Sequence, residues 1–486
     1  MKHFAPVFAV LGGVLMLFAL TMTVPLAFAF IGQDAALPAY DGAIAITFVA
    51  GALLFFSLRT RFQRELQPRD GFLLVTLVWS VLPAFGALPL MFHIQGLSFT
   101  DAYFEAVSGL TTSGGTVLTG LDQLPTSINV WRCFMVLIGG MGILVLAVAI
   151  LPLLGVGGSQ IFKAETPGPM KDDKLTPRIA ETARGLWTVY FYIATLCFVA
   201  FKLAGMGWAD AFMHMCSTMG LGGFSSYDDS FGHFNSPAIE AVAIVFMMVA
   251  GVNFALYFLV WKRRSLAVVW RDLEVRMFFA VVTAAVLGIA VFLTAHGVYP
   301  TFAESLRHAA FNVVSVATTT GFATVDYALW PAFAPVLMLL LCCFATCAGS
   351  TGGGVKMVRG MLLVKQARSE LVRIVHPRAV LPVTLGGGIV DAKVMQSVLA
   401  FMLIYGAVMS FATLLLLFSG LDVVTAFTAV VACINNTGPG LGQVGPANNY
   451  QGLSDFQTWV CSITMLLGRL ELFAVLVLFT PQFWRK

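Results

Sequence analysis

The chain has 486 residues, of which 59% are hydrophobic and 11% are Asp, Glu, Lys or Arg, with a formal net charge of +4. Soluble domains carry about 25% charged residues, so this composition, with a mean hydropathy of +0.88, excludes a soluble protein and indicates a polytopic membrane protein. The mild basic excess does not indicate nucleic acid, because the bases fall in loops between apolar segments rather than along one face.

A spanning helix needs about 20 apolar residues, and residues 5–31 and 42–58 are the first two candidates. Lys2 and His3 precede an apolar run with no cleavage site, so it is read as a retained helix rather than a signal peptide. These two helices form a leading unit, 1–70, that closes in the cluster Arg59, Arg61, Arg64 and Arg69. One module then recurs four times as a span, a helix too short to span, a glycine-bearing loop and a second span. In unit one, 71–185, these helices are 71–92, 101–110 and 131–154; in unit two, 186–271, they are 186–203, 210–219 and 238–261. Unit three, 272–390, has 277–294, 302–317 and 331–363, and unit four, 391–486, has 394–418, 422–434 and 456–479. The expected fold is an all-α polytopic membrane protein. It has four helix–pore-loop–helix repeats in pseudo-fourfold arrangement around one pore, plus two N-terminal transmembrane helices, giving ten spans and four re-entrant segments.

The recurring loops read SGLTTSG at 108–114, CSTMGLG at 216–222, SVATTTG at 315–321 and ACINNTG at 432–438, each with glycine at its seventh position. Spacings of 108, 99 and 117 residues separate Gly114, Gly222, Gly321 and Gly438. That period is too long for a solenoid. Stripping water from a cation costs tens of kcal/mol unless other oxygens replace it. A ring of backbone carbonyls can do so, and glycine reaches the necessary conformations without a Cβ penalty. The candidate filter is therefore Thr111, Thr112, Ser113 and Gly114; Met219, Gly220, Leu221 and Gly222; Thr318, Thr319, Thr320 and Gly321; and Asn435, Asn436, Thr437 and Gly438. Each short helix would end at its loop with its negative dipole end towards the ion. The bland alternative, tight turns between packed helices, does not explain four such loops at one place in four units.

Loop charge sets the orientation. One side holds Lys2, the Arg59 cluster, Lys163, Lys171, Lys174, Arg178, Arg184, the bases from Lys262 to Arg276, those in 356–378, and Arg485 and Lys486. The filter side has Arg132 and Arg307, with Asp101, Asp122, Asp228, Asp229 and Asp326. The positive-inside rule puts the filters outside and both termini in the cytoplasm.

The stretch CAGSTGGGVKMVRG, 347–360, interrupts the closing span of unit three. Gly349, Gly352, Gly353 and Gly354 oppose a continuous helix, at about 1 kcal/mol each relative to alanine. It is not a phosphate loop, because Val355 follows Gly354 and Met357 follows Lys356. It reads either as a small-residue packing motif or as a flexible gate below the filter. In GRLELF, 468–473, Arg469 lies in mid-helix at membrane depth, where an arginine is costly and faces the bundle interior. It either pairs with Glu471 or nearby carbonyls, or faces the pore, bonds the 349–354 carbonyls and repels cations while the gate is shut. The polar tracts 163–187 and 262–276 are solvated surface or a docking site for a cytoplasmic partner. All eight cysteines sit in apolar segments as small fillers. The seven histidines have no metal-ligand spacing, and no Ser-His-Asp or paired-carboxylate site occurs, so no enzyme and no resident cofactor is expected.

The stretches SGLTTSGGT, LPLLGVGG with KAETPGPMKDDKLTPRIAETA, STMGLGGFS, AGVNFALYF, ATTTGFATVDY, CAGSTGGGVK, INNTGPGLG and GRLELFAVLVLFTP resemble the TrkH/TrkG family of bacterial potassium-uptake proteins, within the Trk/Ktr/HKT superfamily. The resemblance covers nearly the whole chain. It implies K+ uptake across the bacterial inner membrane through a gated, K+-selective pore, with coupled Na+ or H+ symport, or a less selective K+/Na+ pathway, as the alternative. It also implies a homodimer in membrane lipid, each subunit with its own pore, above a cytoplasmic TrkA-type nucleotide-binding ring. The family's filter glycines fall on Gly114, Gly222, Gly321 and Gly438, and its gate on the glycine-rich loop and Arg469. In the superfamily serine at the first filter position accompanies sodium, so Gly114 implies potassium. Gly115 departs from the alanine of many relatives.

Overall fold

The computed structural model describes residues 4–59, 68–149 and 175–485. Part of the Arg59 cluster, LPLLGVGG and the 163–174 end of the polar loop lie outside the described residues. The described residues are predominantly helical. Among the described residues, seven helices are long and apolar enough to cross a membrane: Ala5–Gly32, Leu37–Leu58, Arg69–His93, Thr126–Ile143, Ala183–Leu203, Leu273–Ala295 and Ala392–Phe418. Their burial separates roles. The window in Leu37–Leu58 is 17% buried and that in Thr126–Ile143 is 67% buried, so the former lies at the periphery and the latter near the centre. Leu203, Phe418 and Ile31 are almost fully exposed apolar side chains, which suits a lipid-facing surface. The two leading helices meet at glycine: a Cβ on Gly12 would come 2.7 Å from the Gly51 carbonyl oxygen, and one on Gly51 2.8 Å from that of Gly12. Such small residues let membrane helices approach closely.

Four shorter helices, Phe99–Leu110, Trp208–Gly220, Phe302–Ala317 and Val423–Ile434, match the expected half-helices to within two residues. Three start at a side-chain cap. Ser98, Thr301 and Asp422 accept the amides of Asp101, Glu304 and Thr425, satisfying donors that a helix start leaves open. Asp101, Asp210 and Glu304 add negative charge in the first turn, where the dipole favours it. All four half-helices end among buried residues.

Among the described residues, not every expected span is a single helix. The closing segment of unit two breaks into Pro237–Ala250 and Phe254–Arg263, bent by 88°, and that of unit four into Asp455–Arg469 and Phe473–Phe479, bent by 105°. Counting each bent pair as one crossing gives nine among the described residues. The remaining closing segment is Phe333–Phe344, about 18 Å of helix against a hydrocarbon core of about 30 Å, before the 347–360 stretch begins. Hydropathy registers these residues as apolar but not that their helices stop at mid-depth. A two-stranded hairpin, Thr384–Leu385 with Gly388–Ile389, also departs from the all-helical expectation. Gly386 and Gly387 turn it with φ of 58° and 88°, the glycine pair that a tight hairpin turn favours.

Candidate functional site

Each half-helix ends in the same local device. The amides of Ser113, Thr320 and Thr437 bond back to the carbonyls of Ser108, Ser315 and Ala432 at 2.8, 2.8 and 2.9 Å. This closes a helix-terminating turn whose left-handed residue is Thr112, Thr319 or Asn436, at φ 57°, 60° and 54°. A β-branched residue there is an outlier, and the conformation costs about 1–2 kcal/mol. Two residues on, Gly114, Gly321 and Gly438 are left-handed again at 80°, 88° and 93°.

The second loop is displaced by one residue. Its half-helix runs on to Gly220, the back-bonding amide is that of Gly222 to Ser217 at 3.0 Å, and the left-handed residue is Leu221 at φ 55°. Gly223, not the expected Gly222, is therefore the residue two places past the left-handed one, as Gly114, Gly321 and Gly438 are in the other loops, but unlike them it is not itself left-handed. Three glycines within four residues hide that register in the sequence.

The four loops touch in cyclic order. A Cβ on Gly114 would overlap the backbone of Gly223, and one on Gly223 would come 2.7 Å from the Thr320 carbonyl oxygen. One on Gly321 would overlap the Thr437 carbonyl, and one on Gly438 would come 2.7 Å from the Ser113 carbonyl oxygen, closing the circuit. Thr111 bonds Ser113 through their hydroxyls at 2.9 Å, and Thr318 bonds Thr320 likewise at 2.7 Å. Asn436 donates to the Ser113 hydroxyl at 2.9 Å, and Tyr405 donates to Asn435 at 2.9 Å. In contrast, the carbonyls of Thr112, Ser113, Leu221, Thr319, Thr320, Asn436 and Thr437 belong to buried residues and accept no hydrogen bond among the described residues. Buried carbonyls are nearly always paired. Neutral oxygens without a carboxylate suit a monovalent cation, whereas Ca2+ and Mg2+ take charged oxygen ligands. Beyond the loops, Gly114, Gly223, Gly321 and Pro439 open on a common vestibule that also holds Asp228.

The 347–360 stretch packs against the opposite ends of these loops. Gly353 N–H donates to the Thr319 hydroxyl at 2.9 Å, and the Thr351 hydroxyl donates to the Met219 carbonyl at 3.0 Å. A Cβ on Gly353 would overlap the Asn435 carbonyl. Gly349 and Gly354 are left-handed at φ 71° and 83°, and Lys356 curls back onto the Gly352 carbonyl. The stretch is stitched to the unit-two break, with Cys347 N–H donating to Gly251 and Phe254 N–H to Gly349, both at 3.0 Å. Glu274 accepts the amides of Ala348 at 2.9 Å and Val358 at 3.0 Å, bracketing it.

Arg469 is 2% exposed and donates to the carbonyls of Thr351 at 2.8 Å and Gly139 at 3.1 Å. It stands at a helix end, not in mid-helix as the sequence suggested; Glu471 and Leu472 then turn the chain with φ of 54° and 49°. Glu471 pairs with Arg359 at 2.7 Å, which leaves the Arg469 guanidinium to carbonyls. Sequence reasoning missed Glu105, Glu274 and Arg132. A glutamate inside an otherwise apolar short helix was the available signal for Glu105. Arg132, read as a loop base, is buried against it at 2.7 Å.

A model of a cation transport protein family, TrkH, matches residues 38–486. The chain is 44% identical, over the full length of both sequences, to the Trk system potassium uptake protein TrkH of Salmonella typhimurium. It is 39% identical to TrkG of Escherichia coli over all of this chain and 99% of that protein. The crystal structure of the potassium transporter TrkH from Vibrio parahaemolyticus superposes with a TM-score of 0.92 at 41% identity, covering both chains entirely.

Proposed function

We propose, for a chain that belongs to the TrkH family of cation transport proteins, that this multi-pass membrane protein takes up K+ through the space enclosed by its four glycine loops. The family is one of transporters, not enzymes. In this reading the four units surround one pore, and the unpaired, buried carbonyls of the loops replace the water shed by K+. The buried carbonyls without partners in four mutually touching loops are the observation that carries the reading. Gly114, with no side chain to intrude, keeps the pathway selective for K+ over Na+. The glycine-rich stretch is the gate, and Arg469 holds it against the filter ends while placing a positive charge below them.

Other parts of the proposal rest on the family resemblance: a homodimer in the bacterial inner membrane, both termini cytoplasmic, and control by a nucleotide-binding ring of the TrkA type. The exposed bases Arg263, Arg264 and Arg271 support a cytoplasmic face there. Uptake would draw on the membrane potential, about 2.3 kcal/mol per charge per 100 mV.

The test is rubidium uptake into vesicles containing this chain. The expected result is competition by K+ but not Na+, persisting without a sodium or proton gradient. Equal competition by Na+ would defeat the selectivity reading, and uptake that stops without one of those gradients would replace the pathway with a symporter.

A further inference from the structure

Behind the first loop lies an ion pair with no solvent exposure on either side: Arg132 Nε to Glu105 Oε1 at 2.7 Å. Two further pairs between elements of the described residues, Arg307–Glu240 and Arg359–Glu471, each leave a partner partly exposed. A buried pair is costly to desolvate and is a poor way to gain stability alone, so its contacts are informative. Glu105 accepts the Thr116 hydroxyl at 2.9 Å and the Val117 amide at 3.0 Å, holding the chain just after Gly114. Arg132 reaches the other way. It donates to the Ser225 carbonyl at 3.0 Å and lies over the Phe224 ring at 4.5 Å, just after Gly223. Its remaining donors go to Asn129 at 3.0 Å and Thr116 at 3.2 Å.

The other half-helices hold their own return segments without an ion pair; in the second, Asp210 accepts the Ser226 and Tyr227 hydroxyls at 3.1 and 3.3 Å. The His214 ring bonds the Ser225 hydroxyl at 3.0 Å, Asn312 donates to the Thr324 hydroxyl at 2.9 Å, and Thr428 accepts the Leu441 amide at 2.8 Å. Among the described residues, the first brace alone is an ion pair and also spans two loops. It joins the second brace at Ser225.

We propose that Glu105 and Arg132 are positioning residues for ion discrimination: their pair locks the first and second loops together, fixing Gly114 against Gly223. This rests on the reading of the loops as the K+ filter. Neither side chain touches the ion. Their effect acts through the backbone positions of the loops they hold, so their loss alters which ion passes rather than whether protein accumulates.

The test compares rubidium and sodium uptake by vesicles carrying the full chain, per folded transporter, folding being judged by monodisperse protein and its melting temperature. Glu105→Gln keeps the shape but strands the Arg132 charge. The double variant Glu105→Gln/Arg132→Gln offers a neutral replacement pair, and Thr116→Val leaves the ion pair and the Val117 amide bond but removes the hydroxyl that both partners share. The expected result is a loss of rubidium-over-sodium discrimination of about tenfold in Glu105→Gln, equal to about 1.4 kcal/mol, and a smaller loss in Thr116→Val. The double variant should be closer to wild type than Glu105→Gln. Unchanged discrimination in folded Glu105→Gln would overturn the proposal. If Glu105→Gln does not fold, unchanged discrimination in Thr116→Val overturns it instead. Gly114→Ser serves as the control. If it loses discrimination while the brace variants do not, only the brace fails. If Gly114→Ser also discriminates like wild type, the filter reading fails with it.

Discussion

Replacing Arg469 by alanine should raise resting flux. In the structure its guanidinium joins the Thr351 carbonyl of the glycine-rich stretch at 2.8 Å to the Gly139 carbonyl at 3.1 Å. A hydrogen bond to a charged group contributes about 1.5–3 kcal/mol. Losing the Thr351 bond alone therefore shifts the ratio of open to closed stretches by roughly 10- to 150-fold, at 1.4 kcal/mol per tenfold. The substitution also removes a positive charge beside the glycine loops, which under the proposed pathway lowers the barrier to a cation in low dielectric. The assay is rubidium uptake by vesicles holding this chain without any partner, normalised to monodisperse protein. Arg469→Lys keeps the charge but not the fork and should fall between wild type and alanine. Folded Arg469→Ala protein with flux at or below wild type would refute the reasoning, because the arginine would then be packing rather than latch.

Gly321→Ala should lower both melting temperature and rubidium selectivity, since φ is +88° there and the new methyl would overlap the Thr437 carbonyl. Gly288→Ala, where nothing lies within 4 Å of the new methyl, should instead be neutral or gain up to about 1 kcal/mol of helix stability; equal melting losses in the two variants would contradict the contact geometry. Glu274→Gln alters the one side-chain oxygen that accepts both the Ala348 and Val358 amides. It should raise resting flux with a modest fall in melting temperature, and flux equal to wild type would remove Glu274 from control of the stretch. Gly353→Ala puts a methyl into the Asn435 carbonyl, so the stretch must move; the expected readout is raised flux, and unchanged flux with unchanged stability would count against its placement.

The half-helices were legible because their starts and stops are chemical. A capping Ser, Thr or Asp opens three of them, and a glycine follows each. Phe302–Ala317 was readable to the residue for that reason. The second loop was not, because CSTMGLGG offers glycines at 220, 222 and 223 and only the length of the preceding helix decides between them. The breaks in the closing helices were half legible. Glycines announced the one after Phe344, whereas the turn past Arg469 uses Glu471 and Leu472 in left-handed conformations that neither side chain advertises. Arg132 was misplaced because hydropathy places it near a membrane edge but says nothing of a partner 27 positions earlier.

The central claim is that buried carbonyls of four loops replace the hydration shell of a potassium ion. Anomalous diffraction from crystals of this protein grown in rubidium tests it most directly. The account predicts a peak enclosed by the carbonyls of Thr112, Leu221, Thr319 and Asn436 or those following them. Strong rubidium peaks elsewhere, with none inside that ring, would contradict it.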